Sequence, residues 1–200
     1  MRVSLTKVEM LQRRRLASGL EPLRADCAIE LKEGIDVDRV LEAQLRRRYL
    51  DLLDNGERRK ISPEDVSATT AIMASGGTEG GGVVLGAPAN CRRLFDLRLA
   101  GWTRAVEVLA PTEAERVMSL QLNPFTAATA ERPIAVVVAG RTGGEGPVLM
   151  AWPASLKVTL LTAAVDYGPE RYVLDECGIE DLFSDNILIC PNHFLSQISA

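Results

Sequence analysis

The stretch Phe95-Asp96-Leu97-Arg98-Leu99 decides the fold class of this chain, because its apolar side chains recur at every second position. A period of two is typical of a β-strand with one face on a core and the other in solvent. Gly101 follows as a turn residue, and residues 104–109 fit a second strand. We therefore predict a hairpin, with Trp102 near its bend.

More strands are predicted downstream of this hairpin. Three segments there are rich in aliphatic and β-branched residues: 133–139, 148–152 and 156–165. A helix is predicted before them, because Thr112 and Glu115 have the spacing of a capping box and Pro124 would end the helix after Leu122. The sheet should therefore contain about four or five strands and be interrupted by a helix.

Helical periodicity predominates before residue 76. A short helix is predicted within residues 4–16, with these apolar residues on one face: Leu5, Val8, Leu11 and Leu16. A second helix should begin after Asp36, whose side chain can cap it, and end at Asn55-Gly56 in a left-handed turn. Ser62-Pro63 has the composition of a helix start, so a third helix is predicted through about Ser75.

Together these patterns predict an α+β fold in one globular domain. The regions in chain order are a helical region at 1–75, a flexible glycine-rich loop at 76–86, a mainly antiparallel sheet region at 87–168, and a C-terminal helical segment with a tail at 169–200. Within the last region, helical patterns are centred on residues 172–174 and 179–189.

Composition limits the classes of function. The formal net charge of −4 argues against an autonomous nucleic-acid-binding protein, which needs a concentrated excess of basic residues. Residues 1–20 carry charge throughout and have no apolar run of signal-peptide length, and no segment approaches the roughly 20 apolar residues of a membrane helix. These features favour an intracellular protein that does not enter a membrane.

The sequence lacks the motifs of common catalytic and metal centres. His193 is the single histidine, and the cysteines contain no Cys-x-x-Cys pair: Cys27, Cys91, Cys177 and Cys190. A zinc site from Cys177, Cys190 and His193 would lack a fourth ligand. The glycines from Gly76 to Gly82 lead into Val83 without the Lys-Ser or Lys-Thr of a phosphate-binding loop. We therefore predict no catalytic, cofactor-binding or metal-binding residues.

Two features are candidates for protein contacts. The first is the arginine triplet of the second helix, Arg46, Arg47 and Arg48, since guanidinium groups pair with carboxylates in two-pronged geometry. The second is the glycine-rich loop, through Gly76, Gly77, Gly80, Gly81 and Gly82, because a mobile segment can become ordered against a neighbour. The alternative for the arginines is a solvated helix face.

An ordered series of motifs lies within residues 87–153: Pro88, Arg93-Leu94, Gly101-Trp102-Thr103-Arg104-Ala105-Val106, Gln121-Leu122-Asn123-Pro124-Phe125-Thr126 and Arg132-Pro133-Ile134-Ala135-Val136. This series resembles the head-to-tail connector proteins of tailed bacteriophages, the ring or adaptor proteins of crAss-like and related short-tailed phages. The chain departs from that pattern at three places: Ala87-Pro88 stands for Leu-Pro, Asn90-Cys91 for Asp-Phe, and Arg104-Ala105-Val106 for Arg-Pro-Val.

The resemblance implies a structural virion protein without catalysis, assembled in the host cell cytoplasm. It implies a ring of about twelve copies beneath the portal, in contact with portal protein and tail components, through which DNA passes without specific binding. The residues that mark the fold are Trp102, Arg104, Gln121, Asn123 and Phe125. Trp102 and Phe125 are expected to pack inside their own domain. Two alternatives are a cellular protein-binding or assembly accessory module and an enzyme whose site has no recognisable motif.

Overall fold

A computed structural model of the chain describes residues 1–20, 36–75, 81–140 and 145–184. These residues form an α+β fold, as predicted. The helices are α1 (Lys7–Ala17), α2 (Val37–Asn55), α3 (Ala114–Gln121) and α4 (Glu176–Ser184). The strands are β1 (Arg2–Thr6), β2 (Glu64–Asp65), β3 (Ala71–Ser75), β4 (Val83–Gly86), β5 (Cys91–Leu99), β6 (Val106–Leu109), β7 (Ile134–Ala139), β8 (Val148–Trp152), β9 (Val158–Val165) and β10 (Arg171–Asp175).

Residue contacts divide the chain into two compact units, where the sequence predicted one domain. The terminal unit contains residues 1–62 and the chain from Tyr167 onward, and the sheet unit contains Pro63–Asp166. In the described residues of either unit, no helix has the length and hydrophobicity needed to cross a membrane.

In the terminal unit, α2 is the longest helix and provides much of the core. Its predicted cap is confirmed, because the Asp36 carboxylate accepts hydrogen bonds from the N–H groups of Asp38 and Arg39. The inward face of α2 is buried along its length: Leu41, Leu45, Tyr49 and Leu53. The ring of Tyr49 meets the edge of Tyr172 on β10, with centroids 4.9 Å apart.

The end of α2 lies at Asn55, as predicted, but the predicted left-handed turn is absent. Gly56 has φ −65°, which is ordinary extended backbone. A Cβ at this residue would lie 2.4 Å from the carbonyl oxygen of Leu52, so the glycine is explained by close approach of the backbone.

Helix α1 differs from its prediction. Residues 2–6 are a strand paired antiparallel with β10, and the helix starts after Thr6, which forms a capping box with Glu9. Val8 and Leu16, expected on the apolar face, are each 59% exposed. Met10, Arg14 and Arg15 are buried instead, because the inward face of the helix is set by its late start and includes two charged residues.

Two other segments predicted to be helical are not. Residues 62–75 contain β2, a single 3₁₀ turn at Ser67–Thr69 and β3, while residues 172–174 belong to β10. Both errors have the same physical reason, since pairing with strands distant in the sequence replaces local helical preference. The helical pattern at 179–189 is met by α4 as far as Ser184, and the remainder lies outside the described residues.

The sheet unit contains an eight-stranded sheet in the order β2-β9-β5-β6-β7-β8-β4-β3. The predicted count of four or five strands was therefore wrong, although β5 to β9 match predicted segments and the β5–β6 hairpin is present. The added strands β2, β3 and β4 lie in segments interpreted as helix or loop. Strand β4 was hidden because Val83 and Leu85, both fully buried, directly follow the glycine-rich segment.

Helix α3 connects β6 to β7, which form the parallel pair in an otherwise antiparallel sheet. Val117 of α3 packs with Val136 of β7 and Trp152 of β8, so the helix is fixed on this part of the sheet. The predicted capping box of Thr112 and Glu115 is wrong, because a 3₁₀ turn at Pro111–Glu113 precedes the helix and no side chain caps it.

Candidate interaction surface

The Phe125 loop, residues 122–126, carries the most exposed aromatic side chain among the described residues. It follows directly after α3, and its Phe125 is 96% exposed. Leu122 is 61% exposed, and Met118, one turn earlier on α3, is also exposed. A large apolar side chain left in water is more informative than one in a core, since contiguous exposed apolar patches mark contact sites.

Local hydrogen bonds hold the backbone of the Phe125 loop. The Asn123 side-chain oxygen accepts from the Phe125 N–H at 3.0 Å, as in an Asx turn. The Thr126 hydroxyl donates to the carbonyl oxygen of Leu120 at 2.7 Å, and the Ala127 N–H donates to the carbonyl of Asn123 at 2.8 Å. The ring of Phe125 is therefore presented from a loop with a defined conformation.

Gln121 joins the Phe125 loop to the body of the sheet unit. Its buried side chain donates to the carbonyl of Val117 at 3.1 Å and accepts from the N–H of Ala128 at 2.8 Å. Gln121 and Asn123 therefore hold the turn by side-chain hydrogen bonds. Phe125 does not pack inside its domain as expected, because the turn that these residues stabilise places its ring outside.

The other two fold markers lie near the β5–β6 bend. Trp102 is buried, and its indole Nε1 donates to the carbonyl of Pro153 at 3.0 Å, which confirms that it packs inside its own domain. Gly101, in the bend, has φ +87°, a conformation that favours glycine. Arg104 is exposed in the segment that leads into β6.

Strand β3 is a second exposed apolar surface of the sheet unit. It is the last strand of the sheet and pairs with β4 alone, with a register shift between Ile72 and Ala74. All side chains from Ala71 to Ala74 are exposed, including Met73 at 61%. An edge strand of this kind presents backbone and side chains that another chain can contact.

Two arginines of the predicted contact triplet also make contacts within the terminal unit. Arg46 donates to the carbonyl of Gly168 at 3.0 Å and lies over the ring of Tyr49, 5.6 Å from its centroid. Arg48 donates to the carbonyl of Leu182 at 3.3 Å. Only Arg47, of the three, is fully on the surface. Arg46 and Arg48 therefore hold the terminal unit together.

Other charged groups of the terminal unit are also paired within it. Arg15, 1% exposed, forms an ion pair with Asp38. Lys7 lies 2.7 Å from Glu42, and its pKa is raised mainly by the hydrogen bond to that carboxylate. The Asp175 carboxylate accepts from the Met1 ammonium group at 2.8 Å, which lowers the pKa of Asp175 and raises that of the amine. Each pKa shift follows from a structural partner.

The glycine-rich segment is only partly described. Gly76, Gly77 and Gly80, predicted to be contact residues, lie outside the described residues. Gly81 has φ +70°, and Gly82 is buried against Trp152, whose indole Nε1 would lie 2.4 Å from a Cβ at Gly82. Gly82 therefore has a packing role inside the sheet unit.

The described residues contain no group of three or more His, Cys, Asp or Glu side chains that could hold a metal ion. Cys91 is buried and Cys177 is exposed, and neither forms a disulfide among the described residues. Cys190 and His193, considered above as parts of a zinc site with Cys177, lie outside the described residues, as does Cys27.

No protein-family model matches this chain, and no curated protein matches it. The geometry of its own residues therefore has to carry the functional argument.

Sequence reasoning missed four exposed apolar residues: Ile72, Met73, Met118 and Leu122. The sequence contains a feature that could have pointed to them. A quarter of its residues (25%) are charged, yet the segments from Ser67 to Thr78 and from Ser119 to Ala130 contain no charged residue. Each run contains one of the two exposed apolar surfaces, the β3 edge or the Phe125 loop.

Proposed function

We propose that this chain is a non-catalytic assembly protein, a subunit of the ring that connects the portal to the tail in a tailed bacteriophage. One observation carries the proposal. The segment Gln121 to Thr126, part of the motif series that resembles such connectors, holds Phe125 almost fully in solvent on a hydrogen-bonded loop. The motif series and the exposed apolar surface therefore coincide in one place.

The physical argument concerns what an exposed phenylalanine can do. Burying a side chain of this size in a partner is worth about 1.5–3 kcal/mol, and aromatic anchors in pockets often dominate the energy of protein interfaces. The hydrogen bonds of Asn123 and Thr126 reduce the ordering that binding would require of the loop. An exposed aromatic ring and a loop that is already ordered both favour a contact in an assembly.

The proposed partners are other copies of the chain in a ring, the portal protein and tail components, in a virion assembled in the host cell cytoplasm. DNA would pass through the lumen of the ring without specific binding, and the net charge of −4 supports weak affinity for phosphates. In this proposal the chain acts through contacts with other proteins, and no reaction or cofactor is involved.

The test uses any portal, capsid and tail proteins encoded beside this gene, and a gene neighbourhood without them would count against the proposal. Purified wild-type chain is expected to co-sediment with portal assemblies, and Phe125→Ser should weaken that binding at least about thirty-fold. Leu156→Ser, which replaces another exposed leucine of the same unit outside the Phe125 loop, should bind like wild type.

A wild-type chain that associates with none of these virion proteins would overturn the connector proposal. Stable association with a cellular protein instead, lost in Phe125→Ser and kept in Leu156→Ser, would support the alternative of a cellular assembly module.

A further inference from the structure

The Phe125 loop and the β3 edge are both exposed apolar surfaces of the sheet unit that carry no charged residue. Each lies in an uncharged run, Ser119 to Ala130 or Ser67 to Thr78, within a chain of net charge −4. Two copies of this chain repel each other on average, and least where neither surface carries charge. A contact between the two neutral surfaces therefore matches the electrostatics of a second copy.

The side chains of the two surfaces are also suited to each other. The Phe125 loop projects one rigid aromatic ring beside Leu122. The β3 edge offers Met73 and Ile72, and a methionine thioether adapts its conformation to an aromatic ring. The β3 edge from Ala71 to Ser75 has no lysine, no proline and no other charged residue to protect it from association, and its one irregularity is the register shift between Ile72 and Ala74.

We propose that the Phe125 loop of one copy docks on the β3 edge of the next copy. The two surfaces are different parts of one chain, so the contact is heterologous and each copy uses its loop toward one neighbour and its edge toward the other. Such contacts close into rings when the rotation between copies allows it. The inference rests on the proposed function and names the contact by which the ring forms.

The opposite edge of the sheet is a poorer partner for Phe125. Strand β2 consists of Glu64 and Asp65, and the Asp65 carboxylate accepts the N–H of Ser67 at 2.9 Å. A phenyl ring docked there would remove these acids from water. The β3 edge needs no such desolvation.

A heterologous contact makes a specific prediction about mixtures. Phe125→Asp disables the loop and Met73→Asp disables the edge, so each variant alone should be monomeric where wild type associates. An equimolar mixture of the two should form a 1:1 heterodimer that grows no further, because one chain retains a working edge and the other a working loop. Sedimentation velocity and native mass spectrometry measure both outcomes. Leu156→Asp, the matched control, should associate like wild type.

Three results would overturn the inference. They are variants that assemble like wild type, a mixture that remains monomeric, and a wild-type chain that stays monomeric at about 1 mM, where even a contact of millimolar Kd is half populated. The replaced side chains are exposed, and circular dichroism checks that the variants fold. If an Asp variant misfolds, Phe125→Ser or Met73→Ser replaces it.

The inference and the proposed function can fail separately. A heterodimer in the mixture without any binding of wild type to portal protein supports the self-contact and removes the connector. Portal binding by wild type that is lost in Phe125→Asp but unchanged in Met73→Asp, together with a mixture that remains monomeric, would keep the connector and remove this contact.

Discussion

The terminal unit and the sheet unit use charged and apolar side chains in opposite ways. The terminal unit buries Arg14 and Arg15, and its partly buried Arg46 and Arg48 donate to backbone carbonyls of the same unit. The sheet unit keeps Phe125 almost entirely in water. Arginines therefore stabilise the fold of the terminal unit, whereas a phenylalanine lies on the surface of the sheet unit.

This difference teaches that residue type alone does not separate core from interface. A buried arginine is retained because it has partners, and a long side chain also buries its aliphatic stem. An exposed phenylalanine has no such explanation within its own unit. The unexplained group is the better guide to an external partner.

The comparison predicts its largest effect at Asp38. Asp38→Ala would leave the guanidinium of Arg15 buried without this carboxylate, and we expect the free energy of unfolding to fall by about 3 kcal/mol. Urea unfolding followed by far-UV circular dichroism, which reports mainly on helices, measures the loss. Asp51→Ala on the same helix is the control, with an expected loss below about 0.5 kcal/mol because Asp51 is exposed. If both variants lost equally little unfolding free energy, the ion pair of Arg15 with Asp38 would not stabilise the unit.

The next largest loss of stability is expected for Gly82→Ala, which tests whether Gly82 is tightly packed just before β4. Gly82→Ala would place a Cβ 2.4 Å from the Trp152 indole nitrogen, and overpacking of this kind destabilises by about 1–3 kcal/mol. Both tryptophans of the chain, Trp102 and Trp152, lie in the sheet unit, so urea unfolding followed by tryptophan fluorescence reports on it.

Gly140→Ala is the control for this effect, since a Cβ there meets nothing within 4 Å. Its unfolding free energy should stay within about 0.5–1 kcal/mol of wild type. A Gly82→Ala protein as stable as the control would mean that Gly82 does not need to be glycine.

Local patterns predicted the parts of the fold that local physics decides. The alternation at Phe95 to Leu99 identified β5, the aliphatic runs identified β7 to β9, and Asp36 identified the start of α2. Each signal depends on neighbours in the sequence: a period, a composition or a cap. The α+β class followed from these elements.

The prediction errors arose where residues distant in the sequence determine the local structure. Strand β10 forms because Tyr172 pairs with Leu5, and residues 71–75 form an edge strand because β4 lies beside them. The internal contact of Arg46 was hidden for a related reason, since only the packed structure shows that it reaches the carbonyl of Gly168. Phe125 was assigned to the core by its residue type, and only the geometry of its turn places it outside.

A smaller effect separates the neighbouring arginines of α2. Arg46→Glu would lose the hydrogen bond to Gly168 and the contact with the Tyr49 ring, and we expect about 1–2 kcal/mol less stability. Arg47→Glu, its exposed neighbour, should change stability by less than about 0.5 kcal/mol. Reversing the whole triplet would therefore disturb folding as well as any interface. Equal effects of the two single variants would contradict the internal role of Arg46.

The smallest effect concerns a polar group of the sheet unit, Asp65 on the β2 edge. The Ser67 N–H donates to its carboxylate and holds the pKa of Asp65 below its ordinary value of about 3.9. A lowered pKa in the folded state stabilises the protein above the unfolded value, and this contribution is lost as the pH falls through the folded value. Asp65→Asn should therefore cost less than about 0.5 kcal/mol at pH 7, since the group is exposed, and the difference from wild type should shrink below about pH 4. Ser67→Pro removes the donor and should raise the pKa of Asp65 toward its ordinary value, as measured by NMR titration of the carboxyl carbon. A difference between wild type and Asp65→Asn that instead grows as the pH falls would show that this surface carboxylate has a stabilising role other than capping the Ser67 turn.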